Sequence, residues 1–304
     1  MKIAILSNGN ANYSTQRLKE EAEKRGHKVK VIKYKNCHVV IDKEGYAGVM
    51  YKAKVLPQFD AVIPRIANHM TNYGTSIVRQ IEAQGMYVTS SSIAIVRARD
   101  KLRSAQILAK SGVAIPKTVF SRNVADIDHL IEEIGGVPVI IKLAKGTHGN
   151  GVVLAETIKM AKSALQALYL MNEDGTNLLI QEFIAESAGT DIRAFVVGSQ
   201  VVASYQRKSL DDEFRSNLHK GGEGTPIKLT DDERKMAVKA ARAMGLNIAG
   251  VDMMRSKRGP LVLEVNASPG FGIEKITGRN VAEKIIEYVE RNAKRSPRKD
   301  RVGA

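Results

Sequence analysis

Residues 250–266 read GVDMMRSKRGPLVLEVN and predict a β-hairpin of two apolar-rich strands. Lys257-Arg258-Gly259 is interpreted as the connecting loop, because a glycine at the end of a three-residue turn tolerates the left-handed backbone required there. A loop centred on its middle residue places Asp252 directly opposite Glu264. The hairpin is therefore predicted to bring two carboxylates to one spot among apolar neighbours.

A third polar side chain belongs to the same spot. Glu264 and Asn266 are two positions apart, so they share one face of their strand, and the same register pairs Met254 with Val262. Two facing carboxylates repel each other, and a hard divalent cation such as Mg²⁺ would relieve this repulsion. We therefore predict a metal site at Asp252, Glu264 and Asn266. A solvent-facing surface with individually hydrated charges is the alternative.

The composition excludes several classes of protein. The chain has 304 residues, of which 43% are apolar, and its only cysteine is Cys37, which has no disulfide partner. No segment approaches the roughly 20 apolar residues of a membrane span. The N-terminus lacks the long apolar stretch of an export signal. We expect a cytoplasmic protein without a membrane partner.

The charge of the chain points to anionic partners. A formal net charge of +15 favours nucleic acid, phosphorylated cofactors or acidic polypeptides, with a solubility adaptation as the alternative. Six basic residues between Arg291 and Arg301, with Pro297 among them, predict a basic flexible tail over 293–304. We interpret this tail as solubilising, and direct nucleic-acid binding is not favoured.

The order of predicted elements indicates an α/β fold. A strand at 2–6, a helix at 14–24 and a strand at 27–34 predict a parallel α/β unit. The turn after the first strand has no G-x-G-x-x-G, which removes the main support for a dinucleotide site. A single helix is predicted from about Ile93 to Gly112. This helix carries Arg97, Arg99, Lys101 and Arg103.

A lysine and a glycine-bearing loop follow one apolar strand. Lys142 lies near the end of VPVIIKL (137–143), and an ammonium after such a run indicates an anionic ligand such as phosphate. An edge lysine is the alternative. The loop KGTHGNG (145–151) follows, and its Gly146, Gly149 and Gly151 allow the backbone to approach phosphates closely.

Several segments together resemble the ATP-grasp ligases, and specifically the RimK-type branch that adds glutamate to the C-terminus of ribosomal protein S6. In chain order these segments are RARDKLRS (97–104), VIIKLAKGTHGNGVVLAET (139–157), IQEFI (180–184), GTDIRAFVVG (189–198), FRSNLHKGG (214–222) and LEVNASPGFGIEKITG (263–278). The resemblance extends over nearly the whole chain.

The resemblance implies a domain organisation and a reaction. An N-terminal α/β pre-ATP-grasp domain (1–96) precedes an α+β two-domain ATP-grasp fold. Its central subdomain (97–187) carries the glycine loop, its C-terminal subdomain (188–292) carries the metal hairpin, and ATP lies between the two. In the implied reaction, ATP phosphorylates a carboxylate, and an amine then attacks the acyl phosphate to leave an amide and phosphate.

The resemblance also implies roles for individual residues. Phosphate contacts fall to Lys101, Lys142 and the glycine loop. Glu182 and Phe183 would receive adenine, Asp191 would contact nucleotide, and Ser216 belongs to the nucleotide-binding set with its neighbours. Arg207, Arg215 and Asn217 would contact phosphate or acyl phosphate and are the predicted catalytic residues. Arg193 has no assigned role, and His219 is interpreted as a bystander, with substrate binding as the alternative.

The resulting prediction is an ATP-dependent carboxylate–amine ligase. It would use ATP, two Mg²⁺ or Mn²⁺ ions and L-glutamate, act on an acidic or ribosomal protein acceptor, and form a homo-oligomer. One alternative is a sibling ATP-grasp ligase that joins glutamate or another amino acid to a small molecule or carrier protein. Another is a basic RNA-binding module with a decayed ATP site, which the presence of Lys142, Asp252 and Glu264 does not favour.

Overall fold

The computed structural model describes residues 1–43, 47–122, 126–143, 152–170, 178–209 and 223–294. Within these ranges the strands form four sheets, and no helix is long and apolar enough to cross a membrane. The fold is the predicted α/β type, with antiparallel sheets in its later parts. Several predicted features lie outside the described residues: the loop at 145–151 with Gly146, Gly149 and Gly151, then Arg215, Ser216, Asn217 and His219, and residues 295–304 of the tail.

The N-terminal unit is built on a parallel sheet. Strands β1 (Lys2–Ser7), β2 (Lys28–Lys33) and β6 (Ala61–Pro64) have the order β2-β1-β6. Helix α1 (Tyr13–Lys24) packs on one face of this sheet and α2 (Thr71–Ala83) on the other. Alternate residues of β1 therefore belong to two separate cores. Beyond β6, Val88 forms an isolated parallel bridge with Val62 and not a further strand.

A small antiparallel sheet was not predicted. It consists of β3 (Cys37–Ile41), β4 (Ala47–Tyr51) and β5 (Lys54–Val55). The run Val39-Val40-Ile41 before a polar turn carried the signal for its first strand. The sheet adds Cys37 and Val49 to the core on the α2 side of the parallel sheet.

The single helix predicted from Ile93 to Gly112 is wrong, because the chain breaks at Asp100. Helix α3 (Ser92–Arg99) ends there and α4 (Lys101–Lys110) begins. Asp100 has an extended backbone, and its carboxylate accepts a hydrogen bond from the amide of Arg103 at 2.9 Å. Aspartate is a favoured N-cap, so it ends one helix and starts the next. The break makes Lys101 the first residue of α4.

The central unit is a four-stranded antiparallel sheet with two helices on one face. Its strands are β7 (Thr118–Ser121), β8 (Val139–Leu143), β9 (Val152–Ala155) and β10 (Leu178–Glu182), in the order β7-β10-β8-β9. Its helices are α5 (Ile127–Ile134) and α6 (Ile158–Leu170). Ile141 and Ile180 pack under these helices, whereas Lys142 and Gln181 alternate to the other face and line a cleft.

The C-terminal unit is a five-stranded antiparallel sheet in the order β13-β12-β11-β14-β15. Its strands are β11 (Thr190–Val197), β12 (Gln200–Lys208), β13 (Glu223–Pro226), β14 (Ile248–Ser256) and β15 (Gly259–Asn266). Helix α7 (Asp231–Ala243) covers one face, and α8 (Gly272–Thr277) and α9 (Val281–Asn292) cover part of the other. Helix α9 packs against α1 and so joins the N-terminal unit to this one.

Helix α7 begins with a reciprocal pair of hydrogen bonds that we expect to contribute to stability. The Thr230 hydroxyl accepts from the Glu233 amide at 3.2 Å, and the Glu233 carboxylate accepts from the Thr230 amide at 2.8 Å. We expect Thr230→Ala to lower the free energy of unfolding by about 1 kcal/mol, whereas Thr230→Ser retains the cap. Urea denaturation of both variants checks this. Equal midpoints for the two would contradict it.

Candidate active site

The metal hairpin has the predicted partners at Asp252 but a different turn. Ser256 pairs with Gly259, so the turn has two residues, and Met254 pairs with Leu261 rather than with Val262 as predicted. A β-bulge beside Asp252 then adds one residue to β15, and this restores the predicted pairing of Asp252 with Glu264. The tighter turn and the bulge shift the register in opposite directions.

A row of charged side chains crosses the C-terminal sheet at this level. Strand register pairs Asp191 with Arg207 and Arg193 with Asp252. Arg193 Nε donates to Asp252 Oδ1 at 2.6 Å, and Arg207 Nη2 lies 2.9 Å from Asp252 Oδ2. Arg207 Nε also donates to Asp191 Oδ1 at 2.6 Å. These four residues form one buried network of two guanidinium groups and two carboxylates.

This network weakens one reason for expecting a metal ion, the repulsion between Asp252 and Glu264. Burial alone would raise the pKa of Asp252, but Arg193 and Arg207 outweigh it and hold that pKa below its ordinary value. The charge of Asp252 is therefore already compensated, and repulsion from Glu264 does not by itself require a cation. The sequence interpretation gave Arg193 no role. Its position two residues after Asp191, on an otherwise apolar strand, was the available signal.

Glu264 is the accessible carboxylate of the predicted metal site. Its side chain is 55% exposed, and its Oε1 accepts from Asn266 Nδ2 at 3.1 Å. Loss of hydration within the cleft, and then the negative charge of the neighbouring Asp252 carboxylate, raise the pKa of Glu264. Among the described residues, no three His, Cys, Asp or Glu side chains gather as a metal cluster. Two carboxylates and an amide oxygen nevertheless fit Mg²⁺, which commonly completes its shell with water and phosphate oxygens.

Two lysines enter the same cleft from the central unit and α4. The cleft encloses about 550 Å³, including its open mouth, and Lys101, Lys142, Gln181 and Glu264 are among its lining residues. Lys142 Nζ donates to Gln181 Oε1 at 2.7 Å, and Lys101 Nζ donates to the Leu143 carbonyl at 2.7 Å. Burial lowers the pKa of Lys142 to about 8, Glu264 opposes this shift, and Lys101 adds to it. An anionic ligand would favour the charged form of both lysines.

The lowered pKa of Lys142 leads to a prediction on stability. Because folding disfavours the charged amine, we expect Lys142→Met to raise the free energy of unfolding near pH 7 by about 1–3 kcal/mol. Burial lowers the pKa of Lys142 from 10.5 to about 8. The free energy of unfolding of the wild type should therefore increase as the pH rises from about 8 to 10.5, because in this pH range the unfolded chain still holds the Lys142 proton and the folded protein does not.

The same variant should lose ATP turnover by about 10²-fold or more, because it removes one phosphate-binding charge. Urea denaturation at several pH values and an assay of ADP release check the two parts separately. A Lys142→Met protein that unfolds at lower urea than wild type near neutral pH would contradict the first part. Retention of full turnover would contradict the second.

The predicted adenine segment lies at the end of β10. Glu182 Oε1 accepts from the Lys117 amide and from Arg258 Nη2, each at 2.6 Å. The carboxylate of Glu182 thus ties β10 to the turn of the metal hairpin. Phe183 follows directly and is partly buried. The contact of these two residues with adenine stays a prediction.

The structure brings most of the described predicted residues into one region. Lys101, Lys142 and Glu264 line one cleft, and strand pairing connects Glu264 to Asp252, and Asp252 to the network that contains Asp191 and Arg207. Glu182 lies at the hairpin turn rather than among these charges. Their binding and catalytic roles stay predictions.

Comparison with known proteins identifies the family. Residues 1–95 match the model of the RimK PreATP-grasp domain, and residues 98–289 match that of the RimK-like ATP-grasp domain. A probable alpha-L-glutamate ligase of Picosynechococcus is 53% identical over 303 residues, covering 99% of both chains. A probable alpha-L-glutamate ligase of Shewanella frigidimarina is 50% identical and covers 97% of both.

Solved structures share the fold at low sequence identity. The ATP-grasp ligase PsnB, complexed with minimal precursor, Mg and ADP, superposes with a TM-score of 0.74 at 18% identity, covering 97% of this chain and 98% of that one. A RimK domain ATP-grasp protein from Sphaerobacter thermophilus gives 0.71 at 18% identity, covering 95% and 99%. The relatives at 50–53% identity and the two family models together show that the chain belongs to the RimK-type ATP-grasp family and is an ATP-dependent ligase.

Proposed function

We propose that this ligase joins L-glutamate through an amide bond to an activated carboxylate, that of the C-terminus of ribosomal protein S6. The observation that carries the proposal is the cleft that Lys101, Lys142 and Glu264 line together. It lies beside the buried network in which Arg207 pairs with Asp252. Phosphoryl transfer depends mainly on positioning and charge neutralisation, which such a set of cations and carboxylates supplies. The relatives named alpha-L-glutamate ligase support glutamate as the added amino acid.

The proposed reaction has two steps. An acceptor carboxylate oxygen attacks the γ-phosphorus of ATP, so that an acyl phosphate forms and ADP leaves. The amine of glutamate then attacks the acyl carbon, the C–O bond to phosphate breaks, and phosphate leaves with an amide in place. Lys101 and Lys142 would hold phosphate oxygens, and Arg207 would orient the transferred group.

The proposed metal site lies beside these groups. Asp252, Glu264 and Asn266 would hold two divalent ions, either Mg²⁺ or Mn²⁺. When bound, these ions would neutralise negative charge on the phosphate oxygens. The neighbour PsnB, whose solved complex contains Mg and ADP, supports Mg²⁺. Arg193 would keep the Asp252 carboxylate ionised and in place, because it binds both carboxylate oxygens.

A protein acceptor is favoured over a small molecule. The formal charge of +15 suits an acidic polypeptide. Among the structural neighbours, PsnB and the macrocyclase MdnC of Microcystis aeruginosa are bound to precursor peptides. The second candidate is ligation to a small molecule, which the neighbouring D-cycloserine synthetase DcsG supports. We also propose a homo-oligomer, which sedimentation equilibrium of the purified chain tests.

An amino-acid and acceptor panel tests the substrate. Purified chain, ATP and Mg²⁺ are incubated with each labelled amino acid and with ribosomal protein S6, other acidic proteins or small carboxylates. Incorporation of glutamate into the S6 C-terminus supports the proposal, and exclusive labelling of a small molecule supports the second candidate. The double variant Asp252→Asn, Glu264→Gln is the control, and incorporation that survives in it would contradict the metal assignment.

Isotope transfer tests the acyl phosphate. The C-terminal carboxylate of the acceptor is labelled with oxygen-18 before the reaction. Activation as an acyl phosphate moves one labelled oxygen into the released phosphate, whereas activation as an adenylate would move it into AMP. Mass spectrometry of the two products distinguishes these routes.

A further inference from the structure

The N-terminal parallel sheet has a topological switch point at β1 and β6, outside the cleft that Lys101 and Lys142 line. Strand β1 continues into α1 on one face of the sheet, and β6 leads to α2 on the other. The loops after β1 and β6 therefore leave the sheet in opposite directions, although the strands are neighbours. Such a switch point at the carboxyl ends of parallel strands is where ligands bind in open α/β sheets.

Two arginines lie near this switch point. Arg65 follows β6 directly, and its Nη2 donates to the Pro269 carbonyl at 2.7 Å. Its guanidinium also lies 5.1 Å from the centre of the Phe271 ring. Arg99, at the end of α3, donates from Nη1 to the Ala67 carbonyl at 3.1 Å. Arg99 also donates to the Ile66 carbonyl and to the Thr71 hydroxyl, so both arginines contact uncharged groups rather than acidic side chains.

The pair has no anionic partner within the described part of the chain. No carboxylate there forms an ion pair with Arg65 or Arg99, and among the same described residues Arg65 has one hydrogen-bond acceptor, the Pro269 carbonyl. Burial lowers the pKa of Arg65 to about 10, and the nearby Arg99 adds to this shift; burial likewise lowers that of Arg99 to about 10. Two partly buried guanidinium groups held together without a counter-charge favour binding of an anion.

The loops around Arg65 are held in place by close packing. A Cβ at Gly74 would lie 2.4 Å from Ile66 Cγ2, so α2 packs its backbone directly on the loop after β6. A Cβ at Gly250 would likewise lie 2.9 Å from Pro269 Cβ, so the loop after β15 packs on β14. These contacts fix the two loops between which the Arg65 guanidinium lies, which lowers the entropy cost of binding a ligand.

The position relative to the proposed metal site identifies the class of ligand. Pro269 is three residues after Asn266, so the loop that Arg65 contacts leads directly out of the hairpin. In that loop the Ser268 hydroxyl is buried without a hydrogen-bond partner in the described part of the chain. A ligand at Arg65 would therefore lie beside the loop that leaves the metal hairpin, and a planar carboxylate matches the fork of a guanidinium.

We propose that Arg65, supported by Arg99, binds a carboxylate of the acidic substrate, and so selects a substrate with a second carboxylate. The inference rests on the proposed function, in which both free glutamate and an acidic acceptor carry such a group. Either source presents the same chemistry to the guanidinium, and the experiment separates them.

The test measures binding directly, so that it does not depend on turnover. Glutamate, glutamine and an acidic C-terminal peptide are titrated by calorimetry into the full chain with a non-hydrolysable ATP analogue and Mg²⁺. For Arg65→Gln we expect the affinity for one acidic ligand to fall about 10- to 100-fold, the usual effect of a lost charge-assisted hydrogen bond. The affinity for glutamine should stay unchanged, because it offers no side-chain carboxylate.

The outcomes separate the sources and the rival explanations. A loss for glutamate alone assigns the subsite to the amino acid, and a loss for the peptide alone assigns it to the acceptor. The exposed Arg79 on α2 provides the matched control Arg79→Gln. If Arg65→Gln and Arg79→Gln lose the same affinity for the acidic ligand, the effect comes from the overall charge of the protein and the proposal is overturned. Wild-type affinities in Arg65→Gln would also overturn it.

A conservative variant covers the case in which Arg65→Gln does not fold. Arg65→Lys keeps the charge but lacks the two-pronged donor, so an intermediate loss for the acidic ligand is expected. Unchanged affinity in Arg65→Lys together with an unfolded Arg65→Gln would overturn the proposal in favour of a structural role. If the chain proves to use an amino acid other than glutamate, the peptide titration still tests the subsite by itself.

Discussion

Replacing Glu264 by glutamine is expected to reduce the ligase rate by about 10²- to 10³-fold while the protein stays nearly as stable as wild type. The side chain is 55% exposed, accepts a hydrogen bond from Asn266 and lies 4.0 Å from Arg193 Nη2. Glutamine keeps the size and one oxygen but loses the charge that would hold a divalent ion. The variant therefore separates metal binding from structure.

The measurement combines steady-state kinetics with metal dependence. Glu264→Gln should need a higher Mg²⁺ concentration for half-maximal rate, and its urea midpoint should match that of wild type. Glu132→Gln, an exposed glutamate on α5, is the matched control. A Glu264→Gln enzyme with the wild-type rate and Mg²⁺ dependence would remove Glu264 from the metal site.

Replacing Asp252 by asparagine is expected to lower both the activity and the free energy of unfolding, the latter by about 3–5 kcal/mol. Asp252 is 2% exposed and binds Arg193 and Arg207. Within the described residues, its loss leaves Arg207 paired with Asp191, and Arg193 with only the Glu264 carboxylate at 4.0 Å. An uncompensated buried charge is among the most destabilising local changes.

The second variant in this series tests the cause of the instability. Removing Arg193 as well, in Asp252→Asn, Arg193→Met, should recover part of the lost stability but none of the activity, since the unpaired charge is gone. Urea denaturation of the single and double variants checks this, with the exposed Asp232→Asn as control. A double variant less stable than Asp252→Asn would contradict the charge explanation.

The pH dependence of this contribution follows from the direction of the pKa shift. The pKa of Asp252 is lower in the folded protein than in the unfolded chain. Its stabilising effect is therefore fully present above the unfolded value of about 3.9 and is lost only as the pH falls below it.

Local sequence patterns predicted the elements that depend on neighbours in the chain. The strand, helix and strand predicted at 2–6, 14–24 and 27–34 appear as β1, α1 and β2 with bounds close to the predicted ones. The family could also be identified from ordered motifs. The small sheet at 37–55 and the break at Asp100 were missed, since the strands of the first are only two to five residues long and the second depends on a cap inside a continuous helical pattern.

The hairpin shows where prediction from the sequence reached its limit. The pairing of Asp252 with Glu264 is confirmed, although the turn is one residue shorter than predicted. A bulge next to Asp252 shifts the register back by one residue and so restores the pairing. Neither deviation has a strong local signal, because turn length and bulge position are selected by packing of the whole sheet.

The sequence by itself determined the family, the order of the elements and the carboxylate pair at 252 and 264. The tertiary structure alone decided which charges meet. Arg193 and Arg207 neutralise Asp252 because β11 lies between β12 and β14, an order that residue spacing does not reveal. Lys101 at the start of α4 and Lys142 on β8 are forty-one positions apart and also share a cleft. Alternation along β8 sets the face on which Lys142 lies, whereas only the packing of the helix beside that sheet brings Lys101 to it.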